Sequence, residues 1–296
     1  MSTWLIALIP IFSLTIVFVF GFVGCALEKS GLPGGPSDGG DGGPTTKYTD
    51  VIVADKPLAY WRLGEFEGPT AAADQIGVDA AHPTGLHPGT YHSGTPIPAA
   101  PDSSPAPGTL SFGSPGLLTS DPAHSVDFDG GYAEIAHNGE LNTGQFSVEA
   151  WIHPAWPQGD NSDRIVVASY VFGPPTTGFT LEKNTQDHFE ILIGTGAGGW
   201  ATLVGDTSFQ KGKDETYHLV ATYDGTTLKI YEDGNLTNQM PVAGYQPAGA
   251  TPIDIGVGEP TANKLYPIHG RIQDVAIYDH ALDAAAVQKH FLQGTT

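Results

Sequence analysis

Hydrophobic and polar residues alternate in short runs along most of this chain. The clearest run is Phe146–His153. Phe146, Val148, Ala150 and Ile152 fall on one face of a predicted strand, and Ser147, Glu149, Trp151 and His153 fall on the other. Comparable runs cover Leu58–Leu63, Ser125–Phe128, Tyr132–Ile135, Arg164–Tyr170, Gly178–Glu182 and His188–Ile193. Others follow at Trp200–Val204, His218–Tyr223, Leu228–Tyr231, Ile253–Val257 and Gly270–Tyr278. Asp129-Gly130-Gly131, Asp224-Gly225 and Asp233-Gly234 stand between such runs and predict tight turns. Two stretches depart from the strand pattern. Thr49–Ala54 predicts one or two helical turns, and Ala281–Leu292 predicts a short terminal helix. Residues 66–120 are rich in Pro, Gly, Ala, Ser and His and read as long loops, with a brief strand at Gly89-Thr90-Tyr91. Some dozen strands with one helix at each end predict an all-β, two-sheet antiparallel sandwich. No helical stretches separate the strands, so an alternating α/β fold is excluded.

The N-terminus follows another pattern. Trp4–Val23 is apolar apart from Pro10, Ser13, Thr15 and Gly21, and no charged residue precedes Glu28. About 20 apolar residues span a bilayer as a helix. The run ends in Phe22-Val23-Gly24-Cys25, which resembles the lipobox of bacterial lipoproteins. That resemblance implies lipid attachment at Cys25. Phe22 replaces the usual Leu, and the basic start of a secretory signal is missing. An uncleaved membrane anchor and ordinary secretion are the alternatives, and all three place the rest outside the cytoplasm. The expected organisation is a signal or anchor at 1–25, a Gly/Pro-rich flexible linker at 26–46 and one domain at 47–296.

Composition narrows the partners. Twelve Lys and Arg against 32 Asp and Glu give a net charge of -20, which repels phosphate backbones and argues against nucleic acid. The single cysteine builds neither an intrachain disulfide nor a Cys-based zinc site. Gly (39) and Pro (24) suit strands and turns rather than a helical bundle.

Five blocks of sequence carry a second resemblance. "YTDVIVADKPLAYWRLGE", "GTYHSG", "SVDFDGGYAEIAHNGELNTGQFSVEAWIHP", "YHLVATYDGTTLKIYEDGNL" and "GRIQDVAIYDHALDAAAVQKHF" occur in that order. They resemble laminin-G-like jelly-roll domains of the concanavalin A-like lectin/glucanase superfamily. The resemblance implies a jelly-roll sandwich and leaves function open, since the fold carries lectins, adhesion modules, glycanases and spacers. It also implies a structural Ca2+ at the sheet rim, with Asp129 and Asp274 as the matching carboxylates, and Glu65, just after the first strand, is a third candidate if first and last strands lie close.

The other candidates come from side-chain chemistry. Aromatic faces stack on sugar rings, and nearby carboxylates fix hydroxyls. Trp156 and Trp200, both in Pro- or Gly-rich surroundings, and Glu149 and Glu190, on strand faces, are the candidate ligand-binding residues. Trp151 lies beside Glu149 on its face but matches a packed position of the resembled family. The Glu-x-Asp-x-x-Glu strand motif of related β-glucanases is absent, so no catalytic residue is assigned. Gly194-x-Gly196-x-x-Gly199 is followed by a strand-like segment and offers no helix N-terminus to a pyrophosphate. His82, His87 and His92 read as a polar loop. Asn235-Leu236-Thr237 is a glycosylation sequon only in a eukaryotic secretory pathway.

The reading is a surface-anchored, non-enzymatic module that binds a glycan through rim loops or one sheet face. The rivals are a protein-adhesion or structural module that binds a cell-surface protein without sugar affinity, and a glycoside hydrolase. An exposed Trp pair would favour the lectin, and burial of all five Trp the structural module. Two cleft carboxylates at hydrolase spacing, one with a raised pKa, would favour the enzyme.

Overall fold

A computed structural model describes residues 47–68, 71–94, 108–121, 123–208, 215–258 and 264–296. Cys25, the segment 1–25 and the linker 26–46 lie outside the described residues. The strands are β1 (Ala59–Trp61), β2 (Ala71–Ala72), β3 (Gly89–His92), β4 (Thr109–Ser114), β5 (Ser125–Asp129), β6 (Tyr132–Ile135), β7 (Phe146–Pro154) and β8 (Arg164–Val171). They continue as β9 (Thr177–Lys183), β10 (Phe189–Gly194), β11 (Trp200–Val204), β12 (Tyr217–Tyr223), β13 (Thr227–Glu232), β14 (Asn235–Pro241), β15 (Ile253–Ile255) and β16 (His269–Tyr278). Two α-helices, α1 (Tyr48–Ala54) and α2 (Ala284–Thr295), flank them.

The strands form two antiparallel sheets. The first runs β14-β13-β12-β7-β16-β5-β4, with β1 also paired to β16. The second runs β11-β10-β9-β8-β15-β6-β3-β2. The core lies between them and takes the alternate apolar residues of each strand, including Phe146, Val148, Ala150 and Ile152 of β7 and Phe189, Ile191 and Ile193 of β10. Asp233 and Gly234 both have positive φ (50° and 75°), as the tight β13–β14 turn requires. The region 66–120 holds more pairing than its composition suggests. β4 lies within it and pairs with β5, because backbone hydrogen bonding there does not depend on an apolar side-chain pattern.

The first sheet has a third layer. Tyr48 and Ile52 of α1, Leu282, and Val287 of α2 form a second apolar cluster with Tyr60, Trp151, Tyr231 and Tyr278. Asp283 caps α2 by accepting from the Ala286 N–H at 2.8 Å. Gly294 lets the helix lie against Trp151, since a Cβ there would stand 2.4 Å from Trp151 Cζ2. Both faces of β7 are therefore buried. None of the described helices is long and apolar enough to cross a membrane.

Candidate ligand-binding cleft

The third layer decides the fate of Glu149. It is fully buried, against the expectation that its strand face meets ligand. Tyr48 Oη and Tyr278 Oη donate to it at 2.8 and 3.1 Å. His218 Nε2 and His290 Nδ1 each lie 2.9 Å from its oxygens. Burial alone would raise its pKa, but the His290 charge and the donated hydrogen bonds hold it well below the usual carboxylate range. Glu149 is an internal anchor for α1 and α2. Alternation marked its face correctly and could not show that helices cover it.

Trp156 is also corrected, because its side chain is buried (1% exposed) and offers no stacking face. It packs with the inter-sheet core, and the Lys183 ammonium sits 5.9 Å from its ring centroid. Lys183 is itself bound to Asp187 at 2.7 Å and to the carbonyls of Asp160 and Ser162. This clamp draws the 156–162 loop inward.

The three expected metal ligands stand in separate surroundings. Asp129 accepts from His269 Nδ1 at 2.6 Å. Asp274 lies five residues beyond His269 on β16, about 16 Å along an extended strand. It occupies a bulge with φ 54° and accepts from Tyr60 Oη, Gln273 Nε2 and Arg62 Nε. Burial raises its pKa to about 6, with Arg62 opposing. Glu65 accepts from the Ala73 N–H and Tyr91 Oη. Among the described residues no three or more His, Cys, Asp or Glu gather at metal-holding spacing.

Glu190 and Trp200 do come together. Strands β8 to β11 turn their non-core residues toward a cleft of about 240 Å³. Phe179 and Leu181 of β9 enter the core, while Thr180 and Glu182 face the cleft. Glu190 and Leu192 of β10 do the same opposite Phe189 and Ile191. Register places Glu190 directly across from Glu182 and Leu192 across from Thr180. Tyr170, Phe172, Trp200 and Tyr266 supply aromatic walls. Trp200 meets Tyr170 edge-on at 5.7 Å and Phe172 at 6.2 Å, and Phe172 is 64% exposed. Trp200 Nε1 is buried without a hydrogen-bond partner among the described residues. Of the four described Trp residues, Trp61, Trp151 and Trp156 are buried and Trp200 alone lines this cleft.

Glu182 is the site residue that sequence reading passed over. Its strand alternation was visible, but the β9–β10 register that sets it against Glu190 was not. Burial first, then the charges of Glu190 and Asp163, raise the Glu182 pKa well above the usual carboxylate range. Burial also raises Glu190, while hydrogen bonds from Asn184 and Glu182 lower it. The two carboxyls thus face one another across β9 and β10, and both are harder to ionise than a free carboxyl.

The sequence matches the family Laminin_G_3, of the concanavalin A-like lectin/glucanases superfamily, over residues 127–288, more than half of the chain. The chain belongs to this family. No curated protein matches it. Among solved structures it is similar to domain 4 of AbnA, a GH43 extracellular arabinanase from Geobacillus stearothermophilus, in complex with arabinotriose. That likeness has TM-score 0.53 and 18% identity, and covers 79% of this chain and 98% of that one. It is also similar to botulinum neurotoxin type C, in a structure describing dependence of cell entry on two ganglioside molecules. There the TM-score is 0.54 at 12% identity, covering 83% of this chain and 53% of that one. This chain therefore spans about half the length of that neurotoxin chain. At these identities the likeness shows the fold alone.

Proposed function

We propose that this protein is a non-catalytic glycan-binding module and that its ligand occupies the cleft between Trp200 and the Glu182–Glu190 pair. One observation carries the proposal: four aromatic side chains wall a cleft whose floor presents paired carboxyls. Aromatic faces take the apolar side of a sugar ring, and carboxyls take its hydroxyls. The volume, about 240 Å³, lies just below the roughly 300–1,000 Å³ of drug-sized sites, so one ring fits rather than a chain. The absence of the Glu-x-Asp-x-x-Glu strand motif favours binding over hydrolysis. The solved relatives, bound to arabinotriose in one case and tied to gangliosides in the other, support a glycan as the ligand class.

The apolar run before Cys25 supports a membrane tether, by lipid at that cysteine or by an uncleaved helix. Binding of the full chain to a broad glycan panel tests the function. Saturable binding to at least one glycan is expected; no binding across the panel sinks the proposal. Mass analysis of the mature N-terminus tests the tether, and an unmodified Cys25 would remove the lipid.

A further inference from the structure

The cleft is unbalanced in charge. Glu182 and Glu190 are 7% and 8% exposed, and Asp163 lies at the rim. No Lys, Arg or His lines the cleft among the described residues. The nearest lysine in sequence, Lys183, is held by Asp187 and two carbonyls. Arg164 is held by Asp160 at 2.8 Å and the Pro267 carbonyl. Among the described residues the paired carboxyls accept from two neutral donors, Thr180 Oγ1 and Asn184 Nδ2, each at 2.8 Å. The aromatic walls add the negative faces of their rings, which attract cations.

We infer, on the reading that this cleft is the glycan site, that its ligand is an amino sugar with a free protonated amine, whose ammonium settles on Glu182 and Glu190 while the ring lies against Trp200. A neutral sugar would leave the two carboxyls facing each other across β9 and β10 with no cation between them. An ammonium supplies that cation, and a cation beside two carboxylates removes their repulsion. A cation there lowers the raised Glu182 pKa, so as the ammonium enters, a proton held by Glu182 leaves to buffer and the atoms balance. The titratable groups facing the pair are Asp163 from the segment before β8, Tyr170 on β8 and Tyr266 from the segment before β16. None supplies a competing positive charge.

Calorimetry on the full chain tests this, with a β-1,4-linked glucosamine tetramer and its N-acetylated counterpart in two buffers of different ionisation enthalpy. The amine form is expected to bind about tenfold or more tightly, as charge-assisted hydrogen bonds imply, with release of about one proton. The double variant Glu182→Gln with Glu190→Gln should erase the preference and the proton release. The wild-type proton count stands without any variant, should that one fail to fold. Equal or tighter binding of the N-acetylated tetramer, or of arabinotriose, with no proton released overturns the amine and leaves the glycan reading. Binding of a lysine-rich peptide with no binding of any sugar overturns both.

Discussion

His290 Nδ1 lies 2.9 Å from Glu149 Oε2, which ties the last helix to the middle of a strand 141 residues earlier. The other ring nitrogen of His290 lies 2.8 Å from Asp55 at the end of α1. One imidazolium therefore joins both helices to the first sheet. Glu149→Gln leaves this buried cation without its main partner. The expected loss of stability is about 3–5 kcal/mol, read by chemical denaturation. A loss below about 1 kcal/mol would show that the network is peripheral to folding.

The same pair sets the pH range of stability. Burial alone would lower the His290 pKa, but Glu149 and Asp55 raise it from 6.5 to about 9. A raised imidazole contributes stability that is complete below 6.5 and is lost as pH climbs through about 9, on the order of 3 kcal/mol. Glu149 is depressed, so its contribution is present above 4.5 and lost as pH falls below that value. The difference in urea midpoint between the wild type and Glu149→Gln, which cancels the raised carboxyls of Asp274 and Glu182, should be largest between pH 4.5 and 6.5 and shrink on both sides. A difference unchanged between pH 6.5 and 9 would contradict the charge state assigned to His290.

Trp156 and Trp200 should behave as opposites. Trp156→Ala empties a buried site and should cost about 3–5 kcal/mol of stability. Trp200→Ala should cost far less, since that side chain is only partly buried. Comparable denaturation midpoints for the two variants would mean that the inner and outer faces are misassigned.

Gly294 tests the helix packing. Gly294→Ala forces a Cβ against the Trp151 ring, and overpacking of this kind costs about 1–3 kcal/mol. A stabilised variant, as helix propensity alone would give, would mean that α2 stands off the sheet.

Much of this architecture was legible in the sequence, because period-two alternation directly encodes which side chains face an inter-sheet core. Phe146 to Ile152 and the Asp224-Gly225 and Asp233-Gly234 turns are local signals and lie where their pattern places them, whereas Asp129-Gly130-Gly131 joins strands of different sheets and the terminal helix runs Ala284–Thr295 rather than 281–292. The misplaced site residues share a cause that is not local. Glu149 looked like part of a solvent face until two short helices, one before β1 and one after β16, covered it, while Trp151 beside it is packed as the family resemblance implied. Trp156 looked like a loop aromatic, although the Lys183–Asp187 clamp that draws its loop inward is formed by residues about 30 positions away. Glu182 became visible only with the register across β9 and β10. Asp274 drew notice as a rim carboxylate, and a bulge with positive φ turns it toward Tyr60 and Arg62 instead.

The most direct measurement is the affinity of the full chain and of Trp200→Ala for the strongest ligand found in the glycan panel. If the β8–β11 cleft is the binding site, removing the indole loses about 1–3 kcal/mol, a drop of tenfold or more, while the denaturation midpoint hardly moves. Undiminished affinity in Trp200→Ala would place the ligand elsewhere on the molecule and contradict the assignment of this cleft.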